Sequence, residues 1–256
     1  MQPKNQSRMR TARRSRIGLI LALASAVIAS ATEPPRDLAR RVAAREAENK
    51  SAREHYTYRQ TVVIQEMDTR GGRTGEFRLV QDIIFSPKLE RTEKQLGNPV
   101  NTLRRLQLTD EDFRDLREVQ PFLFTTESLW LYETRFQGEE TVDGIDCYVL
   151  SVKPRQVLDG QRLFDGILWA GKEDFSVVRS FGQAVPQILG RKRENLFPRF
   201  TTLRERIDGT HWFPIHTHAD DVLPFSCGAL RMKMTIHYED YRRFQTDTQI
   251  KYEGNK

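Results

Sequence analysis

The chain has 256 residues, with 41 lysines and arginines against 35 aspartates and glutamates, for a formal net charge of +6. Six of the basic residues (Lys4, Arg8, Arg10, Arg13, Arg14 and Arg16) fall within positions 1–16, where there is no acid, so the remainder carries 35 of each sign. A neutral remainder lacks the basic stripe that nucleic-acid binding requires, and with no linker, repeat or low-complexity tract it reads as one domain.

The basic start runs into an apolar stretch, Ile17–Ile28, that ends in Ala29-Ser30-Ala31. This is the pattern of a secretory signal peptide cleaved after Ala31, and the apolar run is too short to span a bilayer comfortably. The expectation is an exported, soluble protein, periplasmic in a two-membrane bacterium and membrane-peripheral at most. Residues 32–245 are then the domain, and 246–256 a disordered tail.

Pro34-Pro35 and Asp37 open a predicted helix to about Ala52, with Leu38, Val42 and several alanines at helical spacing and Asp37 as its cap. The period then changes. Tyr56, Tyr58, Val62 and Ile64 alternate with polar residues as in a half-buried strand. A turn at Asp68–Gly72 leads to a second strand with Phe77, Leu79, Ile83 and Phe85 on one face, which makes a hairpin. Thr109 opens a second helix, with Asp110, Glu111 and Asp112 in its first turn and Phe113, Leu116 and Val119 at helical spacing, until Pro121 stops it. Further strands are predicted at Trp130–Phe136, Cys147–Lys153, Phe164–Trp169, Val177–Phe181, Phe200–Arg206 and Trp212–Ala219, with turn pairs at Asp143-Gly144, Asp165-Gly166 and Asp208-Gly209. The last strand alternates strictly, with Leu230, Met232, Met234, Ile236 and Tyr238 against Arg231, Lys233, Thr235, His237 and Glu239.

Period-two strands joined by short turns describe an α+β chain that is mainly antiparallel β. About 9–11 strands are too many for a flat sheet, so an unclosed half-barrel wrapping the short helices is expected. The stretches "HYTYRQTVVIQEMD" and "GEETVDGIDCYVLSVKPR", with "FDGILWAGKEDFSVVRSFG" after them, resemble the LolA-like periplasmic family of lipoprotein-sorting and lipid-binding proteins, including the LppX and RseB types. The segment "QAVPQILGRKRENLFPRFTTLRERIDGTHWFPIHTHADD" is similar to an uncharacterised exported branch of it, and the likeness covers nearly all of the chain after the leader. It implies an unclosed barrel shielding acyl chains under helical lids, with a lipid or acylated protein as partner and an envelope protein as a further one. The segment Val185–Pro198 is an addition to the compact carriers.

Such a geometry makes Tyr58, Val62, Phe77, Leu79, Ile83, Trp130, Tyr132, Met232, Met234 and Ile236 candidates for the wall of an apolar cavity. Phe136, Trp169 and Phe181 are either wall or packed core. His216 and His218 project on the same side of a strand and could share a metal with a third ligand from His211, His237, Asp220 or Asp221, but two ligands without a spaced partner are a weak signal, and the simpler reading is the wet face of a strand. The run "GRKREN" at Gly190–Asn195 is a solvated loop or a weak contact for anionic head groups. Cys147 and Cys227 could form a disulfide or stay two separate thiols. There is no G-x-S-x-G, no H-E-x-x-H, no phosphate-cradling glycine loop and no C-x-x-C. The expectation is a non-enzymatic carrier or binding protein for a lipid, an acylated lipoprotein or another long apolar ligand, without a cofactor. An RseB-like interaction module and a metal-dependent hydrolase at His216 and His218 stand as alternatives.

Overall fold

The computed structural model describes residues 33–86, 88–119, 121, 124–188 and 194–244. The expected leader, the tail 246–256 and most of Gly190–Asn195 lie outside these residues. Eleven strands form one antiparallel sheet: β1 (Tyr56–Met67), β2 (Arg73–Phe85), β3 (Arg91–Gln95), β4 (Val100–Asn101), β5 (Tyr132–Val142), β6 (Ile145–Pro154), β7 (Leu163–Gly171), β8 (Val177–Val185), β9 (Phe200–Ile207), β10 (His211–Leu223) and β11 (Leu230–Arg243). Their order is β3-β2-β1-β11-β10-β9-β8-β7-β6-β5, with β4 beside β2, so the sheet never closes on itself. Helix α1 spans Leu38–Arg53, and α2 spans Asp110–Arg114 and runs on into a π turn, Asp115–Val119. No helix among the described residues is long and apolar enough to cross a membrane.

The strands follow the alternation in the sequence. One face of β1, β2 and β11 is buried at every second residue, and Tyr58, Val62, Ile64, Phe77, Ile83, Met232, Met234, Ile236 and Tyr238 join in one core. Bulges at Thr57/Arg59, Pro214/His216, Phe136/Gly138 and Trp169/Ala170 add local bend and twist, which curls the sheet around that face. Pro214, which cannot donate to a ladder, sits at one of them. Asp143-Gly144 and Asp208-Gly209 both have positive φ at each residue, as a tight hairpin connection requires.

Several expectations need correction. Asp37 occupies the N-cap position of α1, yet its carboxylate makes no cap bond and instead accepts from Arg41 at 3.0 Å, one turn on. Asp165-Gly166 is not a turn but the middle of β7, where Gly166 faces Gly182 of β8. The Phe164 ring needs that space. A Cβ on Gly166 would stand 2.6 Å from Phe164 Cζ, and one on Gly182 2.5 Å from the same atom. Trp130 belongs to a 3-10 turn, Leu129–Leu131, ahead of β5, and is 72% exposed, so it is no part of a cavity wall. The short strands β3 and β4 carry mostly exposed residues and no alternation to announce them.

Placing a methyl group at Gly182 also brings it 2.4 Å from the Asp165 carbonyl oxygen. Gly182→Ala is expected to lower stability by about 1–3 kcal/mol through overpacking. Urea unfolding should show a reduced midpoint with an unchanged slope.

Candidate functional site

The curled sheet has an apolar inner face with two unjoined edges, covered mainly by two pieces of chain, with Leu196 and Phe197 ahead of β9 adding to the same core. Helix α1 lays Leu38, Val42 and Ala43 on the inner core. Its polar anchor is Glu46, whose carboxylate accepts from Arg204 of β9 at 2.5 Å with both side chains fully buried. Asn49 donates to Glu46 at 3.2 Å and accepts from the Trp212 backbone N–H at 3.2 Å.

The second cover is the chain between β4 and β5. It contributes Leu103, Leu106, Leu108, Phe113, Leu116, Val119, Phe124, Leu129 and Leu131 to the same core. Two of its rings lie directly against the wall, Phe113 edge-on to Phe77 at 5.9 Å and Phe124 edge-on to Tyr132 at 6.0 Å between centroids. Carboxylates fasten this cover at its start and near its middle. Glu66, buried at the end of β1, accepts the backbone N–H groups of Arg104 (3.1 Å), Arg105 (2.7 Å) and Leu106 (2.6 Å). Arg105 then reaches the carbonyl oxygens of Gly228 (2.8 Å) and Ala229 (3.2 Å), before β11. Near its middle Asp115 pairs with Arg162, their side chains 0% and 3% exposed. Asn195 ties this pair to α2 by accepting from Arg162 (3.2 Å) and donating to Asp112 (2.9 Å). Burial pushes the Asp112 and Asp115 carboxyls above their usual range, against the pull of Thr109 and Asn195 on the first and Arg162 on the second.

Two hollows among the described residues border the covers. One, of about 320 Å³, lies between α1 and the second cover, with Lys50, Arg53 and Arg117 on its rim and Val119, Leu131, Tyr132 and Phe164 below. The other, of about 630 Å³, lies beneath the β1–β2 turn, bounded by Glu66, Arg104, Arg105, Leu230 and Arg231.

Of the residues singled out from sequence, Tyr58, Val62, Phe77, Ile83, Tyr132, Met232, Met234 and Ile236 are buried together on the inner face, with Leu79 half-buried against them. Phe136 sits at the rim, edge-on to Tyr148 and 37% exposed, while Phe181 is 38% exposed. Trp169 is on the outer face, in a separate cluster with Val142, Cys147, Val149, Val178 and Trp212. Arg179 lies 3.9 Å over its ring, and Trp169 Nε1 donates to Glu140 at 2.7 Å.

The cysteines are not paired. Cys147 is buried in that outer cluster, where burial pushes its thiol up to about 11, and Cys227 is exposed in the chain between β10 and β11. His216 and His218 do share the outer face of β10, and His237 of β11 joins them, with ring centroids 5.4 Å and 4.8 Å from His216. The rings stack face to face, which does not converge their nitrogens on a point. Among the described residues no group of three His, Cys, Asp or Glu is placed to hold a metal ion. Sequence reasoning missed Glu46, Glu66, Asp115 and Arg162, whose partners are distant in the chain.

No protein-family model matches the chain, and no curated protein matches it. Among solved structures it is similar to a DUF1329 family protein from Desulfovibrio piger, at 16% identity over 85% of this chain and 95% of that one, with a TM-score of 0.39. It is also similar to a domain assigned as an outer membrane lipoprotein-sorting protein from Vibrio parahaemolyticus (13% identity, 80% and 93% coverage, TM-score 0.37). A LolA superfamily protein from Nitrosomonas europaea matches at 12% identity, 79% and 94% coverage, and a TM-score of 0.34. Likenesses at this level say nothing of what this chain binds.

Glu66→Ala removes the acceptor for three N–H groups and is expected to cost about 1.5–3 kcal/mol or more. Amide hydrogen exchange should show protection lost first at Arg104, Arg105 and Leu106, with Glu66→Gln intermediate. Burial and the neighbouring His237 and His218 rings hold His216 below the usual imidazole range. The unfolded chain therefore takes up this proton first, and the stability the neutral ring allows is lost as pH falls below about 6.5. His216→Thr should narrow the difference in unfolding free energy between pH 7.5 and pH 5.

Proposed function

We propose that this protein is a carrier or binding protein of the periplasm for a lipid, an acylated lipoprotein or another long apolar ligand, acting without catalysis. The observation that carries this reading is the covered inner face. Its wall is apolar along β1, β2 and β11, and the chain between β4 and β5 is fastened over it by carboxylates at its start and near its middle. In this reading Tyr58, Val62, Phe77, Leu79, Ile83, Tyr132, Met232, Met234 and Ile236 are the wall that meets the ligand. Phe113 and Phe124 occupy the ligand's place when it is absent. Flexible thioethers at Met232 and Met234 suit a wall that must pack against either occupant.

The reading as a carrier rather than an enzyme is supported by the employment of the buried acids. Glu46, Glu66, Asp112 and Asp115 each hold a backbone or side-chain partner that fixes a cover in place. The expected leader up to Ala31 supports export to the periplasm.

The full chain, expressed with its leader and purified natively from its host compartment, should release an acyl species on solvent extraction and show the matching mass increment in native mass spectrometry. Protein that carries no lipid and instead retains an envelope protein through purification would replace this reading with that of an interaction module. Arg162→Met leaves Asp115 buried and unpaired, which is expected to cost about 3–5 kcal/mol. Under the carrier reading the loosened cover should also speed uptake of a fluorescent fatty acid.

A further inference from the structure

The opening between α1 and the second cover combines two features that a purely apolar ligand would not need. Its floor is hydrocarbon, formed by Val119, Leu131 and Phe164. Its rim carries three cations, Lys50, Arg53 and Arg117, against one acid, Glu118. Arg162 also borders it, but is held by Asp115. Of the three rim cations only Lys50 is paired, with Glu127 at 3.4 Å, and at 44% and 80% exposure such a pair is worth about 0–1 kcal/mol. Arg53 and Arg117 have no ion-pair partner among the described residues. The Nε of Arg53 is buried with no hydrogen-bond partner among the described residues. An unsatisfied buried donor is costly, and a guanidinium is built to hold a carboxylate or phosphate oxygen.

We propose that this opening binds the head of an anionic amphiphile. The carboxylate or phosphate lies against Arg53 and Arg117, and a single hydrocarbon chain runs over Val119, Leu131 and Phe164 toward the inner wall. The inference rests on the carrier reading and narrows it from any apolar ligand to one with a negatively charged end. The volume of about 320 Å³ falls at the lower end of the range of small-molecule sites, roughly 300–1,000 Å³, which suits one chain rather than several. Arg53 is the last residue of α1 and Arg117 lies in the π turn of the second cover, so an anion between them would bridge the two covers.

The test uses the delipidated full chain and four probes in calorimetric titration: palmitate, hexadecyl phosphate, hexadecanol and inorganic phosphate. Both charged chains should bind at least tenfold more tightly than hexadecanol. Inorganic phosphate, offered as a competitor, should not displace palmitate. Arg117→Gln, at an exposed position where folding is not at risk, and Arg53→Met should each weaken the two charged chains about tenfold and leave hexadecanol unchanged. Hexadecanol binding as tightly as palmitate, or charged-chain affinities unchanged in both variants, would overturn the charged-head inference while leaving the carrier reading intact. Displacement of palmitate by phosphate alone would overturn it in favour of a free-anion site. Failure of all three chains to bind would remove the carrier reading itself, and this inference with it.

Discussion

An eleven-stranded sheet that curls without closing has an inner face it cannot leave in water. Burying each Val, Leu, Ile, Phe or Met side chain is worth about 1.5–3 kcal/mol, and the wall contributed by β1, β2 and β11 alone includes Val62, Ile64, Phe77, Ile83, Met232, Met234 and Ile236. A closed barrel would hide that wall by pairing β3 with β5. Here those edges stay apart, and the work falls to chain outside the sheet. The covers are therefore part of the fold's stability and, under the proposed carrier function, of its access route, and whatever replaces them must be as apolar as they are.

The way the covers are attached fits that double demand. Apolar contact supplies the gain from burial but little direction, whereas Glu66, Asp115 and Glu46 each fix one segment to one place. Buried ion pairs are weak sources of net stability, because desolvation consumes most of the attraction, yet they discriminate sharply between a paired and an unpaired arrangement. A cover held in this way has a defined closed position without a large excess of stability behind it. That is the condition under which differential affinity for a ligand can shift a population.

The elements of this structure were legible in the sequence to the extent that burial alternated. In β1, β2 and β11 the period-two pattern identifies strand, face and register together, since a one-residue slip would put Ile64 and Met234 in water. It fails where a polar residue sits on the buried side. Gln60 and Gln81 satisfy each other across β1 and β2 at 2.8 Å, and Glu66 is answered by a loop about forty positions later in the chain, so nothing local marks any of them as interior. The same blindness hid Asp115 with Arg162. It also misplaced Gly166, whose dipeptide has turn chemistry but whose neighbour across the sheet, Gly182, makes it a site of close packing. Trp169 and Cys147 lie at outward positions of their strands, where an apolar residue contradicts a single wet face. They are explained by a second cluster on the outer face, which the strand pattern alone could not assemble.

The covers' aromatic residues connect stability to exchange. Under the proposed carrier function, Phe113 on Phe77 and Phe124 on Tyr132 place rings from the cover where a guest's hydrocarbon would otherwise lie. Moving either ring out without replacement exposes wall and ring alike, so lifting the cover in plain water is opposed by the hydrophobic effect at both surfaces. An entering chain removes only the part of that cost that belongs to the wall. The displaced rings still need a site, and the nearest apolar surface is the guest itself or the membrane or protein that delivers it. Exchange on such a scaffold is therefore favoured at an apolar donor surface rather than from dilute solution. For a carrier built this way, the unclosed sheet makes the identity of the delivering surface, as much as the affinity of the interior, part of its specificity.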